Sequence, residues 1–172
     1  VGRMATEKAL PKLLKIWGMV QDKLPDWKLT LVGDGPQFGT CRQIIAEKKL
    51  KRVCLTGHQM SIPYIDRARI LCLTSVIEGL PTVFTEAMSL GVIPIGFDSF
   101  NAIYDMIDDG IDGFIIPDNN YEQYAETILR LAQDDTLRCR IAYKAQKRKN
   151  RYDIEQVGPL WMETFRKHGL IK

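Results

Sequence analysis

EGLPTVFTEAMSLGVIPIGFD, running from Glu78 to Asp98, decides how this chain is read. It contains a Gly-x-Pro turn at Gly79-Leu80-Pro81, a stretch at helical spacing, a glycine at Gly91 and then a nearly continuous apolar run to Phe97. Pro81 suits the first position of a helix, and Gly91 suits the left-handed residue that stops one. Glu78 falls in the turn and Glu86 inside the helix, with seven residues between them. Both lie near a helix N-terminus, where free N–H groups and the helix dipole favour a phosphate.

The same alternation continues in both directions. Apolar, β-rich runs occur at 27–32, 53–56, 70–74, 92–97 and 113–116, with helical patterns at 7–23, 38–48, 62–67, 81–90, 102–108 and 121–133. Strands that are apolar throughout and separated by helices predict a parallel sheet buried on both faces, a doubly wound α/β domain. Val1-Gly2 is expected to be the stub of one further strand. Gly158-Pro159 leads to a last amphipathic piece at 160–167, with Trp161 and Phe165 at helical spacing, so 154–172 is expected to form a C-terminal helical tail. That stripe either packs on the core or spans to a partner domain.

At 172 residues the chain fits one domain, and no apolar run approaches the ~20 residues of a membrane span. Cys41, Cys54, Cys72 and Cys139 show neither CxxC spacing nor a histidine nearby, which argues against a metal or disulfide framework and for a reducing, cytoplasmic setting. From Arg138 to Arg151 there are seven Lys or Arg and no acid. A solvated helix face is the plain reading, and contact with the anionic inner face of a membrane is the second. Nucleic acid is disfavoured, because no aromatic interleaving accompanies the charge.

In open α/β sheets, ligands bind beyond the carboxyl ends of the strands. The residues at those ends are Arg3 and Lys8, then Gly33-Asp34-Gly35-Pro36, Gly57-His58, the run from Ser75 to Glu86, and Asp98-Ser99-Phe100-Asn101. Cations suit a diphosphate, and carboxylates suit sugar hydroxyls. The inventory fits a nucleotide-sugar better than a dinucleotide. Gly33, Gly35 and Gly39 are spaced GxGxxxG rather than GxGxxG, and a P-loop is absent from the sequence. His58 and His168 lack an obvious nucleophile partner.

The segment from Glu78 to Asp98 resembles the family 4 retaining glycosyltransferases of GT-B architecture. So do VGR with Glu7-Lys8, LVGDGP at 31–36, LTGHQ at 55–59 and DDGIDGFIIPDNN at 108–120. The resemblance implies a Rossmann-like donor-binding domain, the C-terminal half of such an enzyme, across 1–172. The N-terminal acceptor half would be absent, and the opening on Val1 rather than Met is consistent with that. It implies transfer of a hexose from a nucleoside-diphosphate sugar to a polysaccharide, lipopolysaccharide or lipid-linked acceptor, with no metal and no separate cofactor. Glu86 would bind the ribose and Glu78 the donor sugar. Gly79, Leu80, Pro81, Thr82 and Val83 would surround the distal phosphate. Arg3 and Lys8 would neutralise the departing diphosphate. Gly33, Gly35, His58 and Asn101 complete the expected nucleotide-sugar contacts, and the isolated domain is expected to bind but not to transfer.

Two departures from the family pattern stand out. Ala9 occupies a position where glycine is common, a difference expected to have no consequence. Ser99-Phe100-Asn101 replaces a common Gly-Gly pair. Each site residue also has a plain alternative: Arg3 and Lys8 as surface charges, His58 as a loop-packing residue, the two glutamates as a coincidental pair. A nucleotide-binding or interaction module without transfer is the competing reading of the whole chain.

Overall fold

A computed structural model describes residues 1–148 and 153–171. The chain alternates strands and helices: α1 (Leu10–Val20), β1 (Leu29–Leu31), α2 (Phe38–Glu47), β2 (Val53–Leu55), α3 (Ile62–Ile65), β3 (Ile70–Leu73), α4 (Thr82–Ser89), β4 (Ile93–Asp98), α5 (Ile103–Met106), β5 (Phe114–Pro117), α6 (Tyr121–Gln133), α7 (Asp135–Arg148) and α8 (Ile154–Lys167). All strand pairs are parallel, and helices cover both faces, as expected for a doubly wound α/β domain.

The sheet is in two pieces. β1 pairs with β2, while β3, β4 and β5 form a second sheet in that order. β4 is the best buried strand: Ile93, Ile95 and Phe97 pack with Ile16 and Trp17 of α1 and Tyr124 and Ile128 of α6. Leu71 and Leu73 of β3 face the other way, onto Phe84 of α4 and Ile103 of α5. Tyr124 is fully buried, and its hydroxyl donates to the Ile95 carbonyl at 2.8 Å, which satisfies the one polar atom it brings into the core.

Several local expectations shift. The helical pattern at 7–23 breaks into a 3-10 turn at Thr6–Lys8 and α1, because Ala9 between them lies in the left-handed region at φ 46°.

 That conformation costs an L-residue with a Cβ roughly 1–2 kcal/mol, so the alanine at this position is not without consequence. Pro81 caps α4 from outside rather than opening it, since the helix begins at Thr82. Gly91 does take the left-handed stop, at φ 70°. Val1-Gly2 is not a strand, although the Gly2 amide donates to the Val32 carbonyl at 2.9 Å. Pro159 lies inside α8 instead of preceding a helix.

α7 carries the basic run, of which Lys149 and Arg151 lie outside the described residues. Arg138 pairs with Asp135 at 2.6 Å, and Arg148 pairs with Asp108 and with Asp112, the latter at 2.7 Å. Arg140, Lys144 and Lys147 remain exposed at helical spacing. α8 has no buried residue, and Leu160 and Trp161 stand largely exposed on it. No helix among the described residues is long and apolar enough to cross a membrane.

Candidate functional site

A cleft of about 540 Å³ opens where the two sheets meet at their carboxyl ends. Four segments build its walls. Residues 1–8 supply Arg3 and Lys8, the loops after β1 and β2 supply Gly33, Asp34 and His58, and the turn into α4 supplies Glu78, Leu80, Pro81, Thr82, Val83 and Glu86.

The N-terminal segment is stitched across both sheets. The Met4 amide donates to the Asp34 carbonyl at 2.8 Å, and the Val76 amide to the Glu7 carbonyl at 2.8 Å. Thr74 is buried and donates through its hydroxyl to the Lys8 carbonyl at 3.1 Å. These bonds fix the backbone of Lys8 beside the turn after β3, although nearly seventy residues separate them. Lys8 Nζ then lies 2.6 Å from Glu78 Oε1.

Glu78 accepts a second bond, at 2.7 Å, from the hydroxyl of buried Ser75. Ser75 is held in turn by Ser99, whose hydroxyl donates to the Ser75 carbonyl at 2.5 Å. The Glu78 side chain is only 12% exposed, yet it is doubly partnered, so its charge is compensated in place. Glu86 occupies the first turns of α4 and accepts from the Ser61 hydroxyl at 3.1 Å. One carboxylate therefore sits at each end of the α4 N-terminus, with the helix's free N–H groups between them. Arg3 is exposed on the rim and enters no ion pair among the described residues.

The remaining expected residues fall into two groups. Gly33 and Gly35 serve the backbone: a Cβ on Gly33 would come 1.9 Å from the Gly2 carbonyl oxygen, and one on Gly35 would come 2.7 Å from that of Met4. Gly33 also lines the cleft, whereas Gly35, Gly79 and Asn101 are not on its wall. His58 is on the wall and exposed. Ser61 and Ser75 join the site without having been singled out for these bonds. A serine just before Ile62-Pro63 resembles a helix cap in the sequence, and nothing local points it towards a glutamate twenty-five residues on. No group of three His, Cys, Asp or Glu side chains gathers to hold a metal ion among the described residues.

The chain was compared with known proteins. Residues 1–148 match the family model for glycosyl transferases group 1. An uncharacterized glycosyltransferase of Haemophilus influenzae is 27% identical over 168 residues, which is 94% of this chain and 46% of that protein. A Campylobacter jejuni alpha-1,4-N-acetyl-D-galactosaminyltransferase, named for a diphospho-undecaprenol-linked glycan, is 26% identical over 96% of this chain and 46% of its own length. The crystal structure of S. aureus TarM, solved with UDP, superposes with a TM-score of 0.89 at 26% identity, over 95% of this chain and 34% of that one. The chain thus spans less than half the length of each of these proteins. Its family match, its parallel sheets with helices on both faces and its superposition on TarM agree: the chain belongs to the glycosyl transferases group 1 family and has the Rossmann-like fold of the C-terminal domain of GT-B glycosyltransferases.

Proposed function

We propose that the cleft binds a nucleoside-diphosphate sugar and that the longer protein transfers this sugar, with retention of anomeric configuration, to a glycan or lipid-linked acceptor. The observation that carries the reading is the pairing of Lys8 with Glu78 beside the α4 N-terminus, with Glu86 one helix turn away on the same cleft. Glu86, oriented by Ser61, accepts from the ribose hydroxyls. Glu78, oriented by Ser75, accepts from hydroxyls of the donor sugar. The amides of Thr82 and Val83 meet the distal phosphate.

Lys8 has three N–H donors, so it can keep Glu78 and still donate to a diphosphate oxygen. Together with Arg3 it stabilises the charge that grows as the sugar–phosphate bond breaks, an electrostatic contribution worth about 3–4 kcal/mol per well-placed donor. Positive charge built into the protein does this work without a metal. The Campylobacter relative supports a lipid-linked acceptor, and TarM supports a uridine nucleotide. The chain spans less than half of the relatives compared, which supports an acceptor site outside these 172 residues. Arg140, Lys144 and Lys147 form one exposed cationic stripe suited to an anionic membrane surface.

Calorimetric titration of the chain with UDP, GDP and ADP tests the reading. One of the three is expected to bind, weakly, and Glu86→Ala is expected to weaken it by about tenfold or more, the loss of one charge-assisted hydrogen bond or two. Binding by none of them, or binding that Glu86→Ala leaves untouched, overturns it. In the longer protein, Glu78→Gln is expected to lower kcat much more than it raises KM.

A further inference from the structure

Thr74 and Ser75, the two residues that follow β3, are buried although both are polar. Their hydroxyls serve different partners. Thr74 donates to the Lys8 carbonyl at 3.1 Å and reaches the Ala9 carbonyl at 3.3 Å, whereas Ser75 donates to Glu78 Oε1 at 2.7 Å. The peptide unit that joins Ser75 to Val76 is held at both ends as well. Its carbonyl accepts from the Ser99 hydroxyl at 2.5 Å, and its N–H donates to the Glu7 carbonyl at 2.8 Å. In a trans peptide these two groups point in opposite directions, so Ser99 grips one side of the unit and the segment before Lys8 grips the other.

A closed ring of contacts results. It runs from the 75–76 peptide to Glu7, along the chain to Lys8, through the Lys8 ammonium at 2.6 Å to Glu78 Oε1, and back through the Ser75 hydroxyl. Both bonds to Glu78 end on Oε1, and among the described residues none is made to Oε2. Ser99 holds this ring from the loop after β4, and that loop is itself firmly anchored. The Ser99 amide donates to the Phe97 carbonyl at 2.9 Å, and Phe100 is buried in the cluster of Phe84 and Ile103. The Tyr104 hydroxyl closes the loop onto Asp98 Oδ2 at 2.6 Å. Ser99 is not on the wall of the cleft, so whatever it does for a ligand it does through the ring.

We propose that Ser99 is a positioning residue for the donor site. Its hydroxyl fixes the 75–76 peptide, and that peptide fixes both the Ser75 hydroxyl and the backbone before Lys8. Together these hold the Lys8–Glu78 pair with Glu78 Oε2 left for the sugar. Removing the Ser99 hydroxyl takes this donor from the carbonyl of a buried residue, and the peptide is then held at one end only. This role rests on the proposed function of Glu78 and Lys8. It also separates the two ends of the ligand, because Glu86 takes its bond from Ser61 and lies outside the ring.

The test uses the longer protein and the variants Ser99→Ala, Ser99→Thr, Glu78→Gln and the double variant Ser99→Ala with Glu78→Gln. Ser99→Ala is expected to lower kcat about tenfold while leaving the Kd of the nucleoside diphosphate within about twofold. Hydrogen exchange of the Val76 amide, the other end of the same peptide, is expected to quicken about tenfold. Ser99→Thr keeps the hydroxyl and is expected to restore both. On top of Glu78→Gln, Ser99→Ala is expected to lower kcat by less than about twofold more, because the group it positions is already altered. Unchanged kcat or unchanged Val76 exchange in Ser99→Ala overturns the proposal. So does a full additional loss in the double variant, or a nucleotide Kd weakened as much as kcat, since either assigns Ser99 a general structural role. Glu78→Gln that leaves kcat untouched overturns the donor-site reading and this role with it. A slow Glu78→Gln beside a normal Ser99→Ala overturns the role of Ser99 alone.

Discussion

Every residue of β4 from Ile93 to Phe97 is buried between two layers of helix, whereas the three residues of β2 are exposed or half-buried. The sheet containing β4 is packed by α1 and α6 on one face and by α4 and α5 on the other. The β1–β2 piece packs chiefly on α1 and α2, around Leu14, Leu31 and Cys41. Burial of apolar surface is the dominant favourable contribution to folding, so stability is expected to concentrate in the thicker half. The cleft draws on both. Glu78 and Glu86 come from the thick half, and Gly33 and His58 come from the thin one. A rigid platform therefore carries the carboxylates, and a lighter flap faces them.

Substitutions in the two halves test the contrast directly. Phe97→Ala is expected to cost about 3–5 kcal/mol of unfolding free energy, read from denaturant midpoints, and Leu55→Ala only about 1–2. Equal costs would show that the halves are equally important to stability. Next in size is Asp112, which is buried, pairs with Arg148 and accepts from the Asp108 amide, so Asp112→Ala leaves Arg148 with Asp108 as its remaining carboxylate and the Asp108 amide without that acceptor. A loss of about 2–3 kcal/mol is expected, with the loop 108–113 exchanging faster than β4.

The seam between the halves responds to pH. Desolvation holds the Cys72 thiol up at about 11, against an ordinary value of 9.0. Below the ordinary value both folded and unfolded chains keep the proton, and this group adds no pH dependence. As the pH rises from there towards 11, the unfolded chain gives up its proton more readily, so stability falls. Buried Tyr124, also raised by desolvation, adds a loss of the same sign at higher pH. Unfolding curves at pH 8 and pH 10.5 measure the slope, and Cys72→Ala is expected to flatten it. An unchanged slope in that variant would assign the effect elsewhere. The smallest effect is a gain: Ala9→Gly relieves the left-handed alanine and is expected to add about 0.5–1 kcal/mol, less the entropy that glycine costs in the unfolded chain.

Much of this was legible in the sequence because it is local. The five strand runs and the turn from Gly79 to Pro81 are set by neighbours a few residues apart, and the strands lie within them or within one residue of their ends. What the sequence did not reveal depends on distant partners. The bond from Ser61 to Glu86 joins segments brought together only by the packing of α3 beside α4. The left-handed turn at Ala9 follows from the bonds that hold Lys8 under Thr74, not from alanine's own preference. The gap between β1 and β3 leaves no mark in the periodicity of either strand. α7 was legible only as a solvated helix face without bounds, since a run so basic has little apolar face beyond Ile141 and Ala145.

Gly33 bears on how any mutational scan of this domain should be interpreted. Its missing side chain makes room for the carbonyl of Gly2, so every substitution there collides with that backbone unless Gly2 shifts. A variant library would score the position as intolerant and would also record lost nucleotide binding, because displacing Gly2 drags Arg3 off the rim. Taken at face value, the two scores would mark Gly33 as a ligand contact. Intolerance at this position instead measures steric clearance, and a contact map drawn from such a library needs Gly33 and Gly35 removed before its outline can be taken as the footprint of the ligand.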